Sequence, residues 1–284
     1  GEFKGDAIST TSELVKISSD GNLGLEEGQK FERGGIYRFT VDVTKGNTKA
    51  VLTVEKVGKV DLPAPDIFFG NDKMEVTDTD IYKSDQAFTQ GQMITVTGID
   101  NLNEWWIDPD FFEKQSDGAL KFLPINGDYR VTANAVLKYF SVMALKDGKP
   151  AKLQDDGTGA IWAIGKGIGK PSVTSSEVGW EPGKALCLAQ VAPKKYQLTL
   201  KAGETLKTSG DWEAISFKFF YQNDWGDEFK NYASNTLVEQ LKLTDSGNLE
   251  MQDNKAFEEG AVYRFTIDVT NGNANADLKV EKIN

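Results

Sequence analysis

The sequence predicts an all-β protein built from tandem β-sandwiches of an Ig-like or carbohydrate-binding-module-like kind. Three observations carry that expectation. Apolar and polar residues alternate with a period of two through many short segments, the pattern of extended strands with one face in a core. Asp, Asn and Gly interrupt these segments at short intervals, which favours sandwiches over folds with helical crossovers. Residues Asp227 to Asn284 also align without a gap to Gly1 to Gly58, with roughly half the positions identical, so a terminal block of strands occurs twice.

In chain order, residues 1–58 contain ELVKIS, the turn and short partner GNLGLEEGQKF, and the strands IYRFTVDV and AVLTVEKV. In Ile36 to Val43, Tyr37, Phe39, Val41 and Val43 alternate with Arg38, Thr40 and Asp42, a half-buried strand. Gly46-Asn47 supplies the positive φ of a tight hairpin. The second copy repeats this as Val262 to Val269 and Asp277 to Ile283, joined through Asn271-Gly272-Asn273. Residues 1–58 are therefore expected to form a partial β-sandwich that repeats the C-terminal half-domain. A sequence opening at that point reads as cut from a longer protein, or as having lost its opening half-domain.

Pro63 and Pro65 stiffen Asp61 to Pro65 into an extended linker. Residues 66–153 then read as an Ig-like β-sandwich with strands QMITVTGI, ALKFLPI, DYRVTAN and LKYFSVMAL. Asp108 to Glu113, with Pro109 in a first-turn position, predicts a single helical turn. A second boundary falls in Gln154 to Gly159. Residues 158–284 read as a further sandwich: AIWAIGKG, the Gly179-Trp180 loop, ALCLAQV, YQLTLKAGE, ISFKFFYQNDWGDEF and the repeated block.

Composition narrows the function. A formal charge of -11, without a run of Lys and Arg, disfavours a nucleic-acid surface. With no histidine, His-based triads and most zinc sites are removed, and neither an enzyme nor a cofactor is expected. Cys187 has no partner for an internal disulfide and reads as a small buried hydrophobe. No apolar run approaches the roughly 20 residues a membrane helix needs, so membrane contact is expected only through an anchor absent from this sequence. Asp224, Asp227 and Glu228 have the adjacency for glycoside hydrolysis, but nothing marks one of them as a raised-pKa acid, and they read as solvated turn carboxylates. Asp78-Thr79-Asp80 and Asp155-Asp156 match no complete calcium loop, and GKGIGK lacks phosphate-loop spacing.

Binding chemistry concentrates in Ile215 to Phe229. If Ile215, Phe217, Phe219 and Tyr221 face the core, Lys218 and Gln222 face outward beside Trp225. Sugars present apolar C–H faces rimmed by hydroxyls, so their sites pair an exposed aromatic ring with amide, carboxylate or ammonium groups. Trp225, flanked by Asn223, Asp224 and Asp227, has that chemistry; as an alternative, it caps the sandwich while its neighbours make the turn. Trp180 and Trp212 are further loop candidates for the same end, and Trp162 reads as core. Trp105 and Trp106 point to opposite sides of an extended chain, and with Asn101, Asn103 and Glu104 they form a candidate second site.

The motifs AIWAIG, Gly179-Trp180, LTLKAGE, FKFFYQNDW and a closing strand ending in Lys-Val-Glu-Lys, in that order, make residues 160–284 resemble the glycan-binding repeats of SusE- and SusF-type outer-membrane lipoproteins of gut Bacteroidetes. By repetition the likeness extends to residues 2–57. The resemblance implies a non-catalytic, lipid-anchored protein at the outer-membrane cell surface. Such a protein holds a polysaccharide or oligosaccharide for a partner glycan transporter and enzymes. It further implies Trp225 and Trp180 as stacking groups, with Lys218 and Asn223 as polar partners. The competing expectations are a structural or adhesive surface protein with sandwiches as spacers, and an accessory region of a larger glycosidase.

Overall fold

The computed structural model describes residues 3–4, 6–27, 29–209 and 214–284. The chain is all-β and folds as two compact units, Gly1–Ala64 and Pro65–Asn284. No helix among the described residues is long and apolar enough to cross a membrane.

The first unit comprises β1 (Ile8–Thr10), β2 (Val15–Ile17), β3 (Leu23–Leu25), β4 (Gly35–Asp42) and β5 (Ala50–Lys59). One sheet has the order β1-β5-β4, and β2 pairs with β3 alone. The predicted hairpin joins β4 to β5, pairing Phe39 with Val54, and Gly46 takes φ 94° in its turn. Val15, Ala50 and Leu52 are buried, but the face of β4 that alternation assigns to a core is open, with Phe39 49% exposed. Period-2 patterning locates the strand; burial also needs neighbouring strands, and among the described residues β4 is an edge.

The second unit opens with β6 (Phe68–Phe69), β7 (Asp72–Lys73), β8 (Glu75–Asp78), β9 (Ile81–Phe88), β10 (Met93–Ile94), β11 (Val96–Thr97), β12 (Phe112–Lys114), β13 (Leu120–Phe122), β14 (Gly127–Asn134), β15 (Tyr139–Lys146) and β16 (Lys149–Pro150). The main sheet runs β16-β15-β14-β9-β8, and the smaller sheets are β10-β13-β12 and β11-β6-β7. Their shared core is aromatic: Phe69 meets Phe140 and Phe112, and Phe122 meets Phe88 and Tyr129. Asp108 to Phe112 makes a single turn, Asp108 O accepting from the amides of both Phe111 and Phe112, and β12 begins at Phe112.

The chain continues through β17 (Trp162–Gly169), α1 (Val173–Ser176), β18 (Glu177–Gly179), β19 (Leu186–Cys187), β20 (Ala189–Ala192), β21 (Lys195–Lys201), β22 (Ser216–Phe220), β23 (Ser234–Thr236), β24 (Leu241–Leu243), β25 (Leu249–Met251), β26 (Val262–Asp268) and β27 (Asp277–Lys282). One sheet has the order β18-β17-β22-β25-β24, with β19 also on β17, and the facing sheet has β20-β21-β26-β27-β23. Phe217 on β22 packs edge-on against Phe265 on β26 between them. Gly165 of β17 pairs with Phe217, and a Cβ there would stand 2.4 Å from the Phe217 Cα, so only glycine admits this approach. The repeated block supplies β23 to β27, each strand the sequence counterpart of one of β1 to β5.

A buried polar seam joins the two sandwiches of this unit. Lys170, at the end of β17, donates to both oxygens of Asp108 and to Asp110. Asp110 in turn accepts from Gln197 Nε2 and from the Thr199 amide and hydroxyl on β21. These contacts are all 3.2 Å or shorter, so the charges are both paired and hydrogen-bonded, as buried charges require.

Candidate functional site

The site grows out of β22. Past Phe220 the chain makes a tight excursion and returns antiparallel: the Tyr221 amide donates to Asp227 O at 2.6 Å and the Phe229 amide to Phe219 O at 3.0 Å. Gly226 and Asp227 take positive φ, which lets the tip reverse in few residues. At that tip the Trp225 amide donates to Asp224 Oδ1, and Gln222 Nε2 donates to Trp225 O. These bonds fix the backbone beneath the indole, which is 51% exposed and rests edge-on near Phe220 with ring centroids 6.0 Å apart.

The second ring arrives from β18. This strand ends at Gly179, whose positive φ turns the chain, and Pro182–Lys184 forms a short 3-10 turn before β19. Trp180 is half-buried against the core of the sandwich. Its ring centroid lies 6.3 Å from that of Trp225 at an interplanar angle of 27°. This near-parallel, offset arrangement is a preferred geometry for aromatic pairs and sets two indoles side by side.

The predicted residues divide accordingly. Trp180 and Trp225 come together. Asn223 is half-buried in the same loop, and Asp224 is exposed while serving the Trp225 amide. Lys218 is a correction: it is buried rather than outward-facing, with Nζ 3.2 Å from Glu228 Oε1. β22 is a central strand between β17 and β25, and Ile164 and Trp162, paired to Lys218 and Phe220 on that face, are buried too. Lys218 therefore ties the returning arm of the loop to its strand. Gln222, just past the end of β22, is buried as well, with its Nε2 turned onto Trp225 O within the loop. Trp212 lies outside the described residues.

The candidate second site is also corrected. Trp105 is buried and stacked on Phe140 at 4.6 Å, while Trp106 is half-buried and donates its indole N–H to Glu204 Oε1 at 2.6 Å. Both rings are used in packing, Trp106 across the seam between the sandwiches. Trp162 is core as predicted, donating its indole N–H to Ala151 O.

Two features escape a reading of the residues alone. Phe220, the ring against Trp225, falls on the face assigned to polar outward groups; its apolar character among Ser216, Lys218 and Gln222 was the available signal. A cleft of about 630 Å³ also opens between the sandwiches, lined by Tyr139, Ser141, Lys170, Ser175, Lys184 and Cys187 among others. Its walls come from segments distant in sequence, so no local motif announces it.

The fold and this site define an all-β, multi-sandwich protein with an aromatic surface platform. The chain belongs to the family described as domain of unknown function DUF5121, whose model matches residues 1–44 and 156–270, more than half its length. Residues 48–153 match a second family, domain of unknown function DUF5125. Thr44 and Thr270 are counterparts in the internal repeat, so the DUF5121 match ends at the same point of both copies. Comparison with curated proteins and with solved structures returned no match.

Proposed function

We propose that this protein binds polysaccharide without cleaving it, through the Trp180–Trp225 platform. The observation that carries this reading is the pair itself: two indoles from separate loops, near-parallel at 6.3 Å, one of them half exposed at a loop tip. Such a surface offers ring faces to the C–H side of a sugar, while Asn223 and the Asp224 carboxylate at its edge suit hydroxyl groups. The resemblance to SusE- and SusF-type proteins supports the same reading. It also motivates assigning the protein to the outer-membrane cell surface, lipid-anchored and beside a glycan transporter.

Isothermal titration of the protein against a polysaccharide panel tests the proposal. Binding to at least one glycan is expected, weakened about tenfold or more by Trp225→Ala, which corresponds to about 1.4 kcal/mol. Absence of binding across the panel, or binding indifferent to the substitution, sinks it.

A further inference from the structure

The outer face of β14 and β15 is polar although it is turned towards the next sandwich. Cross-strand neighbours share a face, so Thr132 with Ser141 and Asn134 with Tyr139 make two polar rows there, and β9 adds Ile81 beside Asn134. These side chains form one wall of the cleft of about 630 Å³ between the sandwiches. The opposite wall is α1 and the turn from Gly183 to Leu186. Asp108, Lys170 and Cys187, all buried, close the floor, so the ion pair that joins the sandwiches also sets the width of the cleft.

Tyr139 points to a ligand. It is only 8% exposed and its hydroxyl makes no hydrogen bond among the described residues, yet unlike the Tyr232 hydroxyl it is not sealed from solvent. Burial, with Asp108 and Asp110 nearby, holds its phenol well above the ordinary value, so it stays protonated and able to donate. A buried polar group left without a partner costs stability until something satisfies it. The Thr132 and Ser141 hydroxyls likewise have no partner among the described residues. Asn134 uses only its Oδ1, which accepts from the Val136 and Leu137 amides, and keeps its Nδ2 group in reserve. One wall thus offers three hydroxyls and an amide to an incoming molecule.

The charges on the lining are already matched. Lys170 is taken up by Asp108 and Asp110, Lys184 by Glu181, and Glu177 by Lys207, so a charged ligand would find no counter-charge to spare. Ile81, Leu137, Met143 and Leu186 supply apolar surface around the polar rows. The volume falls within the range of about 300–1,000 Å³ usual for small-molecule sites. We propose that this cleft binds a neutral polyhydroxylated small molecule, a mono- or short oligosaccharide, whose hydroxyl groups bond to Thr132, Asn134, Tyr139 and Ser141 while its C–H faces pack on Met143 and Leu186. Neither Trp180 nor Trp225 lines this cleft, and the inference stands whether or not that pair binds glycan.

Methyl-labelled methionine NMR reads the site directly, because Met143 lines the cleft while Met74 and Met251 are buried in cores and Met93 is exposed away from it. Titration of the full chain with a panel of neutral mono-, di- and trisaccharides is expected to move the Met143 signal saturably for at least one member and to leave Met93 in place. Tyr139→Phe removes only a hydroxyl with no protein partner, so it is expected to weaken that binding about fivefold or more while leaving the urea midpoint unchanged. Trp225→Ala is expected to leave the Met143 titration intact, which separates failure of the cleft from failure of the tryptophan pair. A Met143 signal indifferent to every neutral saccharide overturns the proposal, as does a response confined to uronic acids or amino sugars. So does native affinity in Tyr139→Phe, or loss of the Met143 response in Trp225→Ala.

Discussion

Lys170 Nζ lies 2.7 Å from Asp108 Oδ2, across the seam between two sandwiches and 62 positions along the chain. Both side chains are almost wholly shielded from solvent. Removing the ammonium would strand two buried carboxylates, a loss on the order of 3–5 kcal/mol for a broken buried pair. Lys170→Met is therefore expected to lower the urea midpoint of residues 65–284 by a corresponding amount. A midpoint shift equivalent to less than about 1 kcal/mol would show that the seam is not held this way.

The same cluster sets a pH dependence. Burial by itself disfavours the Lys170 ammonium, but Asp108 and Asp110 more than reverse this and hold its pKa above the ordinary 10.5. The unfolded chain thus gives up this proton before the folded one. Lys170 contributes its full stabilisation below pH 10.5, and that contribution fades as pH rises through the folded value. Unfolding midpoints should therefore fall more steeply above pH 10.5 in the native protein than in Lys170→Met. Parallel alkaline limbs would remove Lys170 as the cause.

Cys187 is buried at the cleft between the sandwiches, and burial pushes its thiol up to about 12. Since the thiolate is the reactive form, native protein at pH 8 should resist iodoacetamide and react fully once unfolded in guanidinium. Rapid stoichiometric alkylation of the folded chain contradicts this.

Two glycines with positive φ should respond differently to alanine. At Gly165 the new Cβ would meet the β22 backbone at 2.4 Å, whereas at Gly148 nothing lies within 4 Å. Gly165→Ala is expected to cost about 3 kcal/mol or more, combining overpacking with backbone strain, and Gly148→Ala about 1 kcal/mol from strain alone. Equal losses in denaturant melts would refute the close approach of β17 and β22.

Strands with clean alternation, such as β4, β5 and β26, were legible because a period of two needs no knowledge of neighbours. β9 was not, although it is central to its sheet. Ser84 and Gln86 interrupt its apolar face, and they are tolerated because Gln86 Nε2 donates to Phe69 O and Ser84 Oγ. Trp180 and Trp225 were each legible as loop tryptophans, whereas their adjacency depends on β17 and β22 lying side by side. Lys218 shows the opposite failure. Alternation assigned it to solvent on the assumption that a sandwich has bare outer faces, and this sheet's outer face is covered over β22.

The strand that begins each repeated block runs parallel to the one that ends it, β1 on β5 and β23 on β27. Tension entering at the first strand and leaving at the last would load those bonds side by side, in shear, so they must break together rather than unzip one at a time. In the first unit the Ala50 amide bonded to Ala7 O and the Thr11 amide bonded to Leu52 O bracket this clasp, and the Ala233 amide bonded to Ala276 O opens its equivalent in the second. A chain pulled through its repeated blocks from first strand to last would thereby meet a mechanical latch in each of them.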